Sequence, residues 1–198
     1  MENQFLKTNI NDKEYFIVNN QVAVAKNPCM HPGDIRVLTA VDLPQLRHMF
    51  DCIVFPSVGK RPIPNMCSGS DLDGDLYFVT WEPLLIPART ETPMEYESPP
   101  TKSTENVVIT DVIDFFAKFI EIDQLGRIAN THVALSDFSE KGVLDPMCIE
   151  LAKTFSLAVD FPKTGLVPQM PAMKKDLKYP DFMERGINSY ESMKIIGN

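Results

Sequence analysis

Three aspartates, Asp71, Asp73 and Asp75, stand at alternate positions around Gly74 in the stretch SGSDLDGDLYFVTW, Ser68–Trp81. Carboxylates this close repel one another, and drawing even part of their charge out of water is costly without a cation. In a fully extended chain Asp71 and Asp75 lie about 13 Å apart, at ~3.3 Å per residue, too far to share one ion. Gly74 can take positive φ, which lets the backbone curl until three oxygens converge. A hard divalent cation with oxygen ligands, Mg²⁺ or Mn²⁺, suits such a set. An exposed acidic turn that holds no ion is the plainer alternative.

Two further readings use the same residues. In a calcium loop of the EF-hand type, the three aspartates fall at positions one, three and five, and Glu82 falls at position twelve. That loop requires glycine at position six, where Leu76 stands, and LYFVTW has the pattern of a strand instead. In a phosphatase similar to the haloacid dehalogenase superfamily, with its DxDGT motif, Asp71 would be the nucleophile and Asp73 the acid/base. Here Asp75 replaces the threonine, and the preceding PNMCSGS is polar and irregular where that family has an apolar strand.

The elements that must position the aspartates are short. EYFIVN (Glu14–Asn19), QVAVAK (Gln21–Lys26), IRVLTAVD (Ile35–Asp42), CIVFPSVG (Cys52–Gly59) and LYFVTW (Leu76–Trp81) read as strands, β-branched and partly alternating. NPCMHPGD (Asn27–Asp34) is a turn-rich loop, LPQLRHMF (Leu43–Phe50) a short helix, and RPIPN (Arg61–Asn65) a rigid connection. Many short strands punctuated by proline and glycine predict a small β-barrel over residues 1–86, with Trp81 in its core. Pro87–Asn106 carries four prolines and few apolar residues, which predicts an exposed acidic linker. Thr110–Asp137 has helical apolar spacing, with Thr110 or Asp111 as N-cap, and Asp145–Phe161 starts a second helix with Pro146 at its first position. The fold class is thus α+β. A helical segment over 107–198 is expected to pack its phenylalanine and leucine stripes on the barrel.

Composition bounds the class. The chain has 198 residues and 44% hydrophobic content, that of a globular protein. No apolar run approaches the ~20 residues of a membrane span. MENQFLKTNI lacks the features of a signal peptide, so an intracellular protein, cytoplasmic or nuclear, is expected. Cys29, Cys52, Cys67 and Cys148 show no zinc-ligand spacing and read as reduced, mostly buried thiols. The net charge is −8, but residues 26–65 hold five Lys/Arg against three Asp, whereas residues 66–128 hold four Lys/Arg against twelve Asp/Glu. The segment before the aspartates is therefore mildly basic.

Four stretches, in this order, resemble the cellular (eukaryotic) RNA-dependent RNA polymerases of RNA silencing, whose signature is a DxDGD loop. They are KNPCMHPGDIRVL (Lys26–Leu38), VGKRPIPNMCSGSDLDGDLYFVTWEPLL (Val58–Leu85), ELAKTFSLAVDFPKTG (Glu150–Gly165) and YPDFMERG (Tyr179–Gly186). The resemblance covers nearly all of the chain from about Val22, the acidic linker least. It implies that Asp71, Asp73 and Asp75 lie in a double-psi β-barrel and bind catalytic Mg²⁺, with Mn²⁺ as an alternative. It also implies nucleotidyl transfer from ribonucleoside triphosphates on a single-stranded RNA template, for which two divalent ions roughly 4 Å apart suffice and no side-chain nucleophile is needed. Lys26 would approach the incoming nucleotide, with Pro28 and His31 shaping its loop. Arg61 and Lys163 would touch template or RNA phosphates.

Members of that family are much longer, and their catalytic centre pairs two double-psi barrels. The first barrel has no counterpart in the short stretch before Val22. The expectation is a catalytic-core portion of a larger polymerase, completed by an upstream barrel or a longer chain and serving small-RNA production beside Dicer- and Argonaute-type proteins. A metal-binding or scaffold fragment without activity of its own is the non-enzymatic alternative.

Overall fold

The first strands of the chain form a hairpin, β1 (Leu6–Ile10) and β2 (Lys13–Ile17), antiparallel with Leu6 opposite Ile17. The structure, a computed structural model, describes residues 6–10, 13–96, 106–173 and 177–194. It divides into two units, Met1–Tyr96 and Glu97–Asn198.

In the first unit β3 (Gln21–Lys26) lies between β4 (Arg36–Thr39) and β5 (Tyr77–Thr80), antiparallel to both. Val22, Ala23, Val24 and Ala25 are all buried, so both faces of this central strand are covered. Small and β-branched side chains suit such a strand, because they pack closely on a pleated surface. Among the described residues the strands form an open three-stranded sheet and two two-stranded pairs, and no barrel closes. The fold is mixed helix and sheet, as the α+β reading has it.

Several local expectations fail for identifiable reasons. Cys52–Gly59 is not a strand; Cys52, Val54 and Val58 are exposed, and Pro56 removes a donor that a ladder needs. Leu43–Phe50 yields a single 3₁₀ turn, Pro44–Leu46. Trp81 is 43% exposed and lies outside the core. The start of the expected linker is not loose, since Met94 is buried and residues 91–96 return along the first unit. Residues 97–105 of that linker lie outside the described residues.

The second unit is helical. The run Thr110–Asp137 divides into α1 (Ile109–Ile122) and α2 (Leu125–Phe138). Asp123 makes the break: its N–H closes α1 on the Phe119 carbonyl at 3.1 Å, while its carboxylate accepts the Leu125 N–H at 3.0 Å. Such local side-chain bonding competes with a continuous helix. The N-cap of α1 is Val108 rather than Thr110 or Asp111, and the Asp111 carboxylate reaches back to the Val108 N–H at 3.0 Å. α3 (Pro146–Val159) begins as read, with Pro146 first and Asp145 accepting the Met147 N–H at 2.8 Å. α4 (Phe161–Thr164) ends at Gly165, whose φ of +68° admits glycine readily. Ile128, Leu151 and Ala158 centre the α2–α3 core. Phe115 and Phe119 of α1 stack on Phe161 at 5.7 and 6.0 Å between ring centroids. A short parallel pair, β6 (Tyr179–Pro180) and β7 (Ser189–Tyr190), is held by Asp137, which accepts the Tyr190 and Ser192 hydroxyls at 2.6 and 2.8 Å.

Candidate metal centre

The register of β3 against β5 sets the centre. Lys26, the last residue of β3, lies opposite Tyr77, and the Asn27 N–H extends the ladder to the Leu76 carbonyl at 2.9 Å. Opposed residues share a face, and strand side chains repeat every second residue, so Asp75 and Tyr77 face the side that Lys26 faces. The Lys26 ammonium accordingly sits 2.7 Å from Asp75 Oδ1.

The loop before β5 is tightly curled. Gly74 has φ +111°, the conformation its sequence position called for, and Leu72 has φ +70° although it carries a side chain. Left-handed residues thus alternate with the aspartates. One carboxylate oxygen from each of Asp71, Asp73 and Asp75 lies within 4.8 Å of the others. Asp71 and Asp73 are exposed; Asp75 is half-buried. Ser70 donates to Asp75 Oδ2 and also meets the Tyr77 hydroxyl, and Phe55 packs on the Tyr77 ring at 5.3 Å. Burial alone would push the Asp75 carboxyl up. Hydrogen bonds from Lys26 and Ser70, the lysine charge and the Asp71 N–H outweigh it and hold the group below the usual carboxylate range. Three hard oxygens within 4.8 Å of one another suit a small divalent cation. The chemistry available is electrostatic, since this loop supplies no thiol or imidazole ligand.

A family profile described as RNA dependent RNA polymerase matches residues 2–198. The chain belongs to that family. It is 52% identical over 190 residues to the probable RNA-dependent RNA polymerase 1 of Oryza sativa subsp. japonica, a match covering 95% of this chain and 26% of the rice protein. It is 53% identical over 184 residues to RNA-dependent RNA polymerase 1 of Arabidopsis thaliana, covering 92% of this chain and 17% of that protein. The chain therefore spans about a quarter or less of these curated relatives. Among solved structures, the RNA dependent RNA polymerase QDE-1 from Thielavia terrestris has a similar fold, with a TM-score of 0.56 at 24% identity over 81% of this chain and 20% of that one.

Within this polymerase-family chain, the structure brings Lys26 onto Asp75 of the aspartate cluster. His31 caps the 3₁₀ turn Pro32–Asp34, its Nδ1 accepting the Gly33 N–H at 3.1 Å. Arg61 is engaged by the Asn65 side chain at 2.7 Å, the Met94 carbonyl at 2.7 Å and Glu95 at 3.2 Å. Lys163 lies exposed in α4 of the second unit.

Sequence reasoning missed Ser70, Tyr77, Asp34 and Tyr96. Asp34 is fully buried and joins three segments: it accepts the Met94 N–H at 3.2 Å, the Ser68 hydroxyl at 3.3 Å and the Tyr96 hydroxyl. Arg36 ties down the returning segment 91–96, a strap along the first unit, by donating to the Glu91 carbonyl at 3.1 Å. Gly33 is essential to the close approach, since a Cβ there would meet the Thr92 carbonyl oxygen at 1.9 Å. The signal available in the sequence was weak: serines flanking Gly69, and a tyrosine in a stretch otherwise rich in Pro, Glu and Thr. The cysteines take no part in the centre. Burial pushes the thiols of Cys29, Cys67 and Cys148 up to about 11, which leaves them protonated and poorly suited to metals.

Proposed function

We propose that this chain is a catalytic-core portion of an RNA-directed RNA polymerase that copies single-stranded RNA into complementary RNA for small-RNA silencing. The observation that carries the reading is the convergence of Asp71, Asp73 and Asp75 to within 4.8 Å, beside a lysine, in a chain of this family. The three carboxylates would hold Mg²⁺, or Mn²⁺ in its place, within a double-psi β-barrel to which β3, β4 and β5 contribute. Such an ion supplies Lewis-acid activation of the growing 3′-hydroxyl and neutralises pyrophosphate charge.

The protein's own part is placement. Ser70 and Lys26 fix Asp75, and the left-handed turns at Leu72 and Gly74 present Asp71 and Asp73 to solvent, from which nucleotide and ion arrive. Lys26 is the proposed nucleotide contact, with His31 shaping the loop beside it. Arg61 and Lys163 are proposed contacts to RNA phosphates. The division into a barrel portion (1–86), a linker (87–106) whose residues 91–96 are bonded back to that portion, and a helical segment (107–198) belongs to the same reading, as do a longer polymerase partner, Dicer- and Argonaute-type associates, and a cytoplasmic or nuclear site of action. No helix among the described residues is long and apolar enough to cross a membrane.

The test is Mg²⁺-dependent incorporation of labelled ribonucleotides on single-stranded RNA. The chain is assayed alone and together with the upstream part of a relative, beside Asp73→Ala. Incorporation lost in the variant supports the reading. Equal incorporation by wild type and variant takes catalysis away from the aspartates, and none in either combination favours the scaffold role.

A further inference from the structure

Both oxygens of Asp75 are already engaged. Oδ1 takes the Lys26 ammonium at 2.7 Å and Oδ2 takes the Ser70 hydroxyl. The Lys26 and Asp75 side chains are 20% and 12% exposed, so their attraction is less screened than that of a surface pair. Backbone pairing fixes the arrangement, because Lys26 ends β3 opposite Tyr77, two residues beyond Asp75. The carboxylate that completes the three-oxygen cluster therefore carries a monovalent cation supplied by the chain itself.

We infer that Lys26 is a built-in stand-in for the metal: its ammonium holds Asp75 in place when no divalent ion is bound and gives up Oδ1 when one binds. This role rests on the metal-centre reading proposed above and adds to it a competitor within the site. A +1 charge a few ångströms from a +2 ion weakens ion binding by roughly ten-fold even at the dielectric of bulk water, and by more in a partly buried site. Ser70 keeps its hold on Oδ2, so Asp75 stays oriented as the lysine leaves. The released ammonium, a point charge with three donors on a flexible stem, remains beside the centre. Metal loading and the presentation of a cation to a triphosphate then become one event.

The experiment is a Mn²⁺ titration of the full 198-residue chain, with free ion read by electron paramagnetic resonance. Wild type is compared with Lys26→Met, Lys26→Arg and Asp73→Ala. Lys26→Met is expected to bind Mn²⁺ at least about ten-fold more tightly, Lys26→Arg to resemble wild type because it keeps the charge, and Asp73→Ala to lose the binding. In a second arm, acylation of the Lys26 amine, read by mass spectrometry, speeds up with Mg²⁺ in wild type and not in Asp73→Ala. Equal or weaker Mn²⁺ binding by Lys26→Met, with Asp73-dependent binding intact, overturns the stand-in role and leaves the metal centre standing. Absence of Asp73-dependent binding in every variant overturns the metal centre and the stand-in with it. Should Lys26→Met fail to fold, the labelling arm decides, and a Lys26 acylation rate indifferent to Mg²⁺ overturns the role.

Discussion

The Asp34 carboxylate, fully buried, accepts the backbone N–H of Met94 at 3.2 Å across 60 residues of chain. That bond, with those from Ser68 and Tyr96, joins the turn after β3, the approach to the aspartate loop and the strap that closes the first unit. From Ser68 the chain runs through Gly69 to Ser70, which holds Asp75. Through two hydrogen bonds and the short stretch Ser68–Ser70, a buried acid far away in sequence is thus tied to Asp75 of the aspartate cluster.

The Tyr96 hydroxyl is the donor best suited to removal, because Tyr96→Phe keeps the ring that packs against Gly69. Losing a hydrogen bond to a buried carboxylate costs about 1–3 kcal/mol. Trp81 is the sole tryptophan and belongs to the first unit, so urea unfolding followed by its fluorescence reports that unit. The urea midpoint should fall in Tyr96→Phe. An unchanged midpoint would show that the strap is not held through Asp34.

Asp34 also gives stability a pH dependence of defined sign. Burial pushes its carboxyl above the ordinary value of 3.8, against the hydrogen bonds from Tyr96 and Met94, the nearby His31 and the Ser68 hydroxyl. A raised folded-state pKa means that the folded form binds more protons than the unfolded form between 3.8 and the raised value. The Asp34 contribution to stability therefore grows as pH falls through that window and shrinks as pH rises through it. In the weakly acidic range above 3.8, the difference in urea midpoint between wild type and Asp34→Asn should move in favour of wild type as pH is lowered. A difference moving the other way would mean that the donors around Asp34 outweigh its burial.

What could be read from sequence follows from the range of the interactions involved. β3 was legible to the residue, since Gln21–Lys26 sets valines at every second position, Val22 and Val24, each followed by an alanine, with polar residues at both ends. The start of α3 was legible because Asp145 and Pro146 act within one turn. The curl at Gly74 was legible because a glycine among three like charges has a single evident use. The break at Asp123 was not, because the apolar period continues through it while one carboxylate bond decides the outcome. The strap was not either, because one proline and two glutamates among six residues give 91–96 the composition of a linker, and its anchors Asp34, Arg36 and Arg61 lie 33 to 62 residues away. The Lys26–Asp75 pair needed the register of β3 on β5, which no local pattern encodes.

Arg61 separates a structural from a substrate role most directly. Its guanidinium donates to the Asn65 side chain, to the Met94 carbonyl and to Glu95, and its side chain is 21% exposed. Hydrogen bonds from a charged donor to partly buried acceptors contribute about 1.5–3 kcal/mol, and the planar fork cannot be reproduced by an amide. Arg61→Gln should therefore lower the Trp81-reported urea midpoint and loosen the strap, read as faster amide exchange at Met94. An arginine that served RNA phosphates alone would leave both readings at the wild-type value and would instead flatten the salt dependence of RNA binding. A fall in stability with an unchanged salt slope would assign Arg61 to the strap, and the reverse pattern would assign it to RNA.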